Sequence, residues 1–312
     1  MAGGCDAGAY EFDGVDHSGP ARQFGAGNVL VSLGNRVSEF SLQGDWIQDI
    51  WFPHLSPSDS GMLGVDAENL DAFRVFLGVF SPAMGQYRIG TDGWSFAVAS
   101  GWSTVNNSRG AIGHHGSRWF VANNATAGSP SSGVLVFENG SVIGELASGS
   151  FVSDLSVGKN GIVYVLGPAN GTGSVVRRFD PATLSEMAGF NTMQTAGLTG
   201  ATAIAADVDG NIFLADSSLA PLVKLGSAGQ LLAQTDCIVS GNPSTACGGA
   251  RNIAIDDDGM LLLGTSNDDL IRIDSNFATA SQVLLDVEHG GFPSGFYVVP
   301  LPSDNIFRAD FD

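Results

Sequence analysis

The chain is poor in positive charge. Against 32 aspartates and glutamates it sets only 13 lysines and arginines, for a formal net charge of −19 over 312 residues, and just two of the cations are lysines, Lys159 and Lys224. A nucleic-acid backbone or an anionic membrane surface demands a basic footprint, so neither is an expected partner. Long apolar runs are missing too: no stretch approaches the roughly 18 apolar residues of a membrane span, and residues 1–20 lack the apolar core of a signal peptide. No window sustains a 3.6-residue apolar period, and the 43 glycines are spread so evenly that a long helix would be costly nearly everywhere. Catalytic signatures are equally scarce. There is no G-x-S-x-G elbow, no phosphate-binding Walker loop and no dinucleotide fingerprint in a strand-to-helix setting, so no catalytic residue is assigned.

What the chain does have is a period. Six times a short apolar segment runs into a Gly-containing or acidic turn and out into a second apolar segment, at intervals of about 44 to 49 residues. AIAADVDGNIFLAD (Ala203 to Asp216) and NIAIDDDGMLLLGT (Asn252 to Thr265) are the clearest copies. DLSVGKNGIVYVLG, AIGHHGSRWFVAN, MLGVDAENLDAFRVFLG and GNVLVSLG are looser ones. Two further short apolar runs follow each hairpin, as in LVKLGS and LLAQTD after Asp216. Four short strands per repeat of this length make a propeller blade. The expectation is therefore an all-β, six-bladed β-propeller with four-stranded blades. The first copy has no inner strand ahead of it, whereas SGFYVVP (Ser294 to Pro300) is an inner strand with no blade behind it. Joining the two closes the ring by pairing the N- and C-terminal strands and leaves no open ring edge.

The DVDGN-IFLAD stretch at Asp207 to Asp216 resembles the NHL-type repeat, and Ile253 to Gly264 is similar with Met260 and Leu261 in place of the Asn and aromatic residues. Over residues 24–302 the chain resembles bacterial six-bladed NHL and lactonase-like propellers. Residues 1–23 then read as a linker or the remnant of a preceding domain, and 303–312 as an acidic-aromatic tail. The opening GGCDAGAYEF (Gly3 to Phe12) resembles the closing C-D-x-G-A-x-E-F segment of bacterial extracellular β-helix proteins. DNIFRADFD (Asp304 to Asp312) resembles the I-F-x-x-G-F-E tail of secreted proteobacterial proteins, with Asp310 where that pattern has Gly. Both resemblances imply a secreted or cell-surface location. Cys237 and Cys247 flank the loop CIVSGNPSTAC, whose Gly, Asn and Pro favour a tight reversal, and a local disulfide is expected there in preference to two exposed thiols.

A few residue groups invite a chemical reading. Carboxylates at alternate positions in Asp207-Val208-Asp209-Gly210-Asn211 could begin a calcium loop, but Asp and Gly also serve strand-joining turns for backbone reasons alone, and the turn is the preferred reading. Adjacent His114 and His115 could ligate a metal only if their strand sent them to one site. The resemblance to lactonases implies an axial divalent cation held by an early Glu, inner-strand asparagines and an Asp. Here only Asn252 matches such a position, with Asp154 and Thr202 at the equivalents, so no metal ligand is assigned and no cofactor expected beyond a candidate structural or axial calcium. Asp154, Asn252 and Arg251 still suit a polar axial pocket, with Arg109, Asn123, Asp216 and Asn267 around it. Five tryptophans, all between Trp46 and Trp119, suit either a glycan platform or the filling of gaps between blades. The expected function is a non-catalytic extracellular binding or assembly module, its partners a protein or carbohydrate on an extracellular surface or a further copy of itself. The alternative is a divergent lactonase or lyase with an axial metal.

Overall fold

The computed structural model describes residues 21–33, 36–51, 62–77, 83–89, 93–97, 111–123, 132–168, 174–191, 198, 200–216, 222–235, 252–256, 258–264, 269–277, 282–286 and 295–298. Among them, short strands form six antiparallel sheets of four strands each. Blade 1 holds β1 (Val29–Ser32), β2 (Arg36–Phe40) and β3 (Trp46–Trp51), and blade 2 holds β4 (Met62–Asn69), β5 (Ala72–Leu77), β6 (Ala83–Arg88) and β7 (Gly93–Ala97). Blade 3 follows with β8 (Ile112–His115), β9 (Arg118–Asn123), β10 (Gly133–Glu138) and β11 (Ser141–Leu146), and blade 4 with β12 (Asp154–Val157), β13 (Val163–Pro168), β14 (Ser174–Phe179) and β15 (Glu186–Asn191). Blade 5 is β16 (Ala201–Ala206), β17 (Ile212–Asp216), β18 (Leu222–Leu225) and β19 (Leu231–Thr235), and blade 6 is β20 (Asn252–Ile255), β21 (Leu261–Gly264), β22 (Asp269–Ile273) and β23 (Gln282–Asp286).

The last strand, β24 (Gly295–Val298), returns to blade 1 and pairs antiparallel with β1, Val29 opposite Val298 and Ser32 opposite Gly295. The expected closure by the two ends of the chain is thus present in the register. Strands β24, β4, β8, β12, β16 and β20 contact one another in ring order and are the innermost strand of each blade. We call the face where the inner strands begin the top and the other the bottom.

The hairpin turns at the bottom follow from the sequence. In Asp207–Asn211 the Asp207 N–H donates to the Asn211 carbonyl at 3.0 Å and the Gly210 N–H to the Asp207 carbonyl at 3.1 Å. Asp256–Met260 repeats both bonds, at 2.9 and 3.1 Å. Gly210 and Gly259 each sit at φ 77°, the left-handed position that lets a three-residue loop close with a bulge.

The core lies between blades. Leu30 and Val37 of blade 1 pack on Val65 and Phe73 of blade 2, and Phe120 and Val136 of blade 3 pack on Leu155 and Val165 of blade 4. Tyr164 and Val176 meet Ile204 and Leu214 between blades 4 and 5, Phe213 meets Ile253 and Leu261 between 5 and 6, and Leu262 and Leu270 meet Val29 and Val31 between 6 and 1. Each such buried side chain contributes about 1.5–3 kcal/mol, so it is face-to-face stacking that makes the separate sheets one body. Among the described residues, the junction of blades 2 and 3 holds no apolar cluster of this kind. A polar stack stands there instead.

Basic side chains add ties between neighbours. Arg118 of β9 donates through one guanidinium nitrogen to the carbonyls of Pro181 and Ala182, at 2.6 and 2.5 Å, linking blade 3 to blade 4. Arg178 of β14 reaches the Ser227 carbonyl at 2.7 Å, and Lys224 of β18 reaches Asn276 Oδ1 at 3.2 Å. Within blade 1, the buried Glu39 carboxylate accepts from the Gly25 N–H, Asn28 Nδ2 and Gln48 Nε2, at 2.7, 2.6 and 2.6 Å, and so anchors the segment leading into β1.

Candidate functional site

Asp154 and Asn252 are the first residues of inner strands β12 and β20, while Asn123 and Asp216 are the last residues of the antiparallel second strands β9 and β17. All four therefore stand at the top ends of their strands, as the pairing of Asp216 with Ala201 at the start of β16 shows for blade 5. Arg109, Arg251 and Asn267 lie outside the described residues, as do Cys237 and Cys247 of the expected disulfide.

Asp154 is not a loose mouth residue. It is buried, its Oδ1 accepts from the Leu155 N–H at 2.8 Å, and its Oδ2 accepts from the Ile204 N–H at 2.9 Å. Leu155 is Asp154's neighbour in β12 and Ile204 lies in β16, so one carboxylate at the top end of the blade 4 inner strand ties it to the inner strand of blade 5. A short acidic side chain suits this position because its two acceptor oxygens satisfy two backbone donors, and each charge-assisted bond is stronger than a neutral one. Asn123 is buried as well, and Asn252 half-buried.

At the bottom, the first carboxylate of each acidic turn is occupied by its own turn. Asp207 Oδ1 accepts the Asn211 N–H and Oδ2 the Asn211 side-chain amide, both at 2.8 Å. Asp256, fully buried, accepts the N–H groups of Asp258 and Met260 on Oδ1, at 3.0 and 2.8 Å, and Arg272 on Oδ2 at 2.7 Å. Burial works against the Arg272 charge, yet its hydrogen bond to Asp256, helped by Asp258, holds the guanidinium above its ordinary range. Lys159, on the turn of blade 4, donates to the Asp256 carbonyl of blade 6 at 3.4 Å, reaching past blade 5. Among the described residues, no three His, Cys, Asp or Glu side chains come together as a metal-ligating group.

The two adjacent histidines part company. His114 Nδ1 lies 2.8 Å from Asp66 Oδ2, and with the carboxylate ionised it is this ring nitrogen that donates. His114 stacks on Trp119 at 4.7 Å between ring centroids, and the Arg74 guanidinium lies 4.3 Å from the Trp119 ring. This is the polar stack at the junction of blades 2 and 3. Asp66 is 1% exposed, and its Oδ1 has no hydrogen-bond partner among the described residues. His115, one residue on, is exposed at the strand end beside Gly161. Sequence reasoning singles out His114 but not Asp66. The signal available is a carboxylate inside the otherwise apolar run MLGVDA, where a buried charge calls for a partner. Of the tryptophans, Trp119 is buried, and Trp94 packs on Phe73 and Tyr87 while donating from its indole to the Trp51 carbonyl at 3.1 Å. Both fill space within and between blades.

With this geometry in view, comparison with known proteins is informative about architecture. No family model matches the sequence, and no curated protein matches it. Among solved structures, the chain is similar to a protein of unknown function from Bacteroides caccae, with 13% identity and a TM-score of 0.61 over 88% of this chain and 99% of that one. It is similar to a streptogramin B lyase, with 12% identity and a TM-score of 0.56 over 92% of each chain. A Dos1 propeller aligns at 8% identity and a TM-score of 0.51, over 85% of this chain and 69% of that one. The likeness is one of fold. At such identities a shared propeller says nothing of shared chemistry, because one scaffold hosts unrelated sites. No helix among the described residues is long and apolar enough to cross a membrane.

Proposed function

We propose that this propeller is a non-catalytic extracellular binding or assembly module, with its ligand site at the top of the channel. The observation that carries the reading is the Asp154 clasp. The acidic group best placed at the top of the inner strands is committed to backbone donors of two blades, which makes it framework for a mouth and leaves it poorly suited to proton transfer or metal binding. Around that frame, Asn123, Asp216 and Asn252 stand at strand ends, and the sequence offers Arg109, Arg251 and Asn267 as further polar groups. Amide and guanidinium groups of this kind read hydroxyls and carboxylates, as on a glycan or an extracellular protein loop. The secreted address rests on the two terminal sequence patterns and the Cys237–Cys247 loop.

Glycan and peptide arrays probed with the full chain should give binding that Arg251→Ala and Asn252→Ala each weaken by about tenfold, as expected for loss of a central polar contact, with an unchanged melting temperature. The competing enzyme reading is tested with a lactone panel and a streptogramin B, each with added calcium, magnesium or zinc. Turnover above a chelated control would overturn the proposal.

A further inference from the structure

Trp46 and Trp51 stand at the two ends of β3, the outermost strand of blade 1, and both are half-buried. Among the described residues their rings belong to none of the apolar clusters between blades. Asp49 lies between them on the same strand, and the neighbouring β2 sets Arg36 opposite Trp51 and Ser38 opposite Asp49. Side chains two apart on a strand share a face. The pairing of β1 with β2 puts Val29 opposite Phe40 and Val31 opposite Ser38, and Val29, Val31 and Phe40 pack in the cluster that blade 1 shares with blade 6. Arg36, Ser38, Asp49 and Trp51 therefore continue that face outward from the axis, where it changes from apolar to polar.

The polar groups there form one chain of hydrogen bonds. Arg36 Nε donates to Ser38 Oγ at 3.3 Å, Ser38 Oγ donates to Asp49 Oδ1 at 2.5 Å, and the same carboxylate oxygen accepts from the Trp46 indole at 3.1 Å. The Arg36 guanidinium also lies 5.1 Å from the centre of the Trp51 ring, so it is held both through Nε and through the indole. The Arg36 and Asp49 side chains are only 15% and 13% exposed. Even so, among the described residues the two terminal amino groups of Arg36 have no hydrogen-bond partner, and Asp49 Oδ2 meets only Arg36 Nε, at 3.5 Å. Polar groups so far withdrawn from water are ordinarily bonded, and a donor fork and an acceptor oxygen fixed side by side without protein partners point to a ligand from outside.

We propose that this cluster is a saccharide subsite on the rim of blade 1, taking a neutral sugar through two adjacent hydroxyls. Its chemistry excludes the other ligand classes. An anion meets the Asp49 carboxylate and a chain of net charge −19, a cation meets Arg36, and a purely apolar group would leave donor and acceptor dehydrated and unpaired. A vicinal diol answers both at once, one hydroxyl donating to Asp49 Oδ2 and the next accepting from the Arg36 amino groups. The indoles of Trp46 and Trp51 at the two ends of the strand suit the C–H faces of a sugar, since such rings combine apolar area with a polar edge. The subsite lies on the rim and the proposed ligand site at the channel mouth, so either can fail alone.

The test is an array of neutral glycans probed with the full chain, followed by saturation-transfer NMR with the methyl glycosides of mannose, galactose, glucose and fucose. Binding is expected, and periodate cleavage of the vicinal diols on the array should abolish it. Asp49→Asn keeps an acceptor for Ser38 and Trp46 while putting an amide donor in place of Oδ2, and Arg36→Lys keeps the charge while losing the fork. Each should retain the native circular dichroism and weaken binding by about tenfold or more. The periodate arm uses the native chain and decides the matter even where a variant fails to fold. No binding to any neutral glycan, binding that survives periodate, binding confined to carboxylated or sulfated glycans or to peptides, or binding indifferent to both substitutions would overturn the proposal. Glycan binding lost with Asn252→Ala but with neither rim substitution would do so while leaving the proposed function standing.

Discussion

Replacing Asp154 with alanine separates a structural clasp from a binding group. The side chain holds two backbone donors, Leu155 N–H at 2.8 Å and Ile204 N–H at 2.9 Å, the second 50 residues away in the next blade. Removing the carboxylate leaves both donors without that acceptor in a buried setting. Hydrogen bonds to a charged group contribute about 1.5–3 kcal/mol each, and water at the channel mouth can restore part of the loss, so a net destabilisation of about 3 kcal/mol is expected. Against a domain stability of about 5–15 kcal/mol this is a large fraction. Asp154→Asn keeps one carbonyl acceptor but turns an amide N–H₂ toward the other donor, and it should cost roughly half as much. Urea denaturation of the three proteins gives the values, with an unchanged slope showing that the unfolded state is unaltered. Hydrogen exchange at Ile204 should accelerate in the alanine variant more than at inner-strand amides of blades 1 and 2. A loss below about 0.5 kcal/mol for the alanine variant, within the range of an ordinary surface substitution, would refute the clasp and return Asp154 to the ligand-binding groups.

Two other perturbations probe the framework. His114→Phe keeps a ring on Trp119 but leaves the buried Asp66 carboxylate without its 2.8 Å donor, which should cost about 3–5 kcal/mol by chemical denaturation; pairing it with Asp66→Leu should recover most of that, and a single-variant cost under about 1 kcal/mol would sink the argument. Asp180 caps the turn that Arg118 grips: the N–H groups of Thr183 and Ala182 donate to its Oδ1, at 2.8 and 2.9 Å, and hold its carboxyl below the ordinary range. A depressed folded value means stability present above the unfolded pKa and lost as pH falls through the folded one. The melting-temperature gap between the native chain and Asp180→Asn should therefore narrow as pH falls below about 4, and a gap that stays constant under acid would refute the assignment.

The architecture was legible because it is a local pattern repeated. Four short strands with Gly-Asp-Asn turns at a fixed period specify a blade whatever its neighbours do, and counting copies specifies the ring. An unpaired SGFYVVP at one end and a blade lacking its inner strand at the other were enough to imply closure, since an open ring would leave a bare edge. The turn reading of Asp207–Asn211 and Asp256–Met260 was legible for the same reason, as the bonds run within five residues. The roles of individual polar groups were not. Asp154 reads as a mouth residue from its place at the start of an inner strand, and only the seating of blade 5 against blade 4 delivers the Ile204 N–H to it. Asp66 and His114 lie 48 residues apart, each unremarkable in its own strand, and they meet because stacking puts adjacent blades face to face. Strand formation depends on neighbours in the chain and so is written in the sequence's period. Which polar group is satisfied, and which apolar one is covered, depends on partners a whole blade away, and that was decided by the tertiary structure alone.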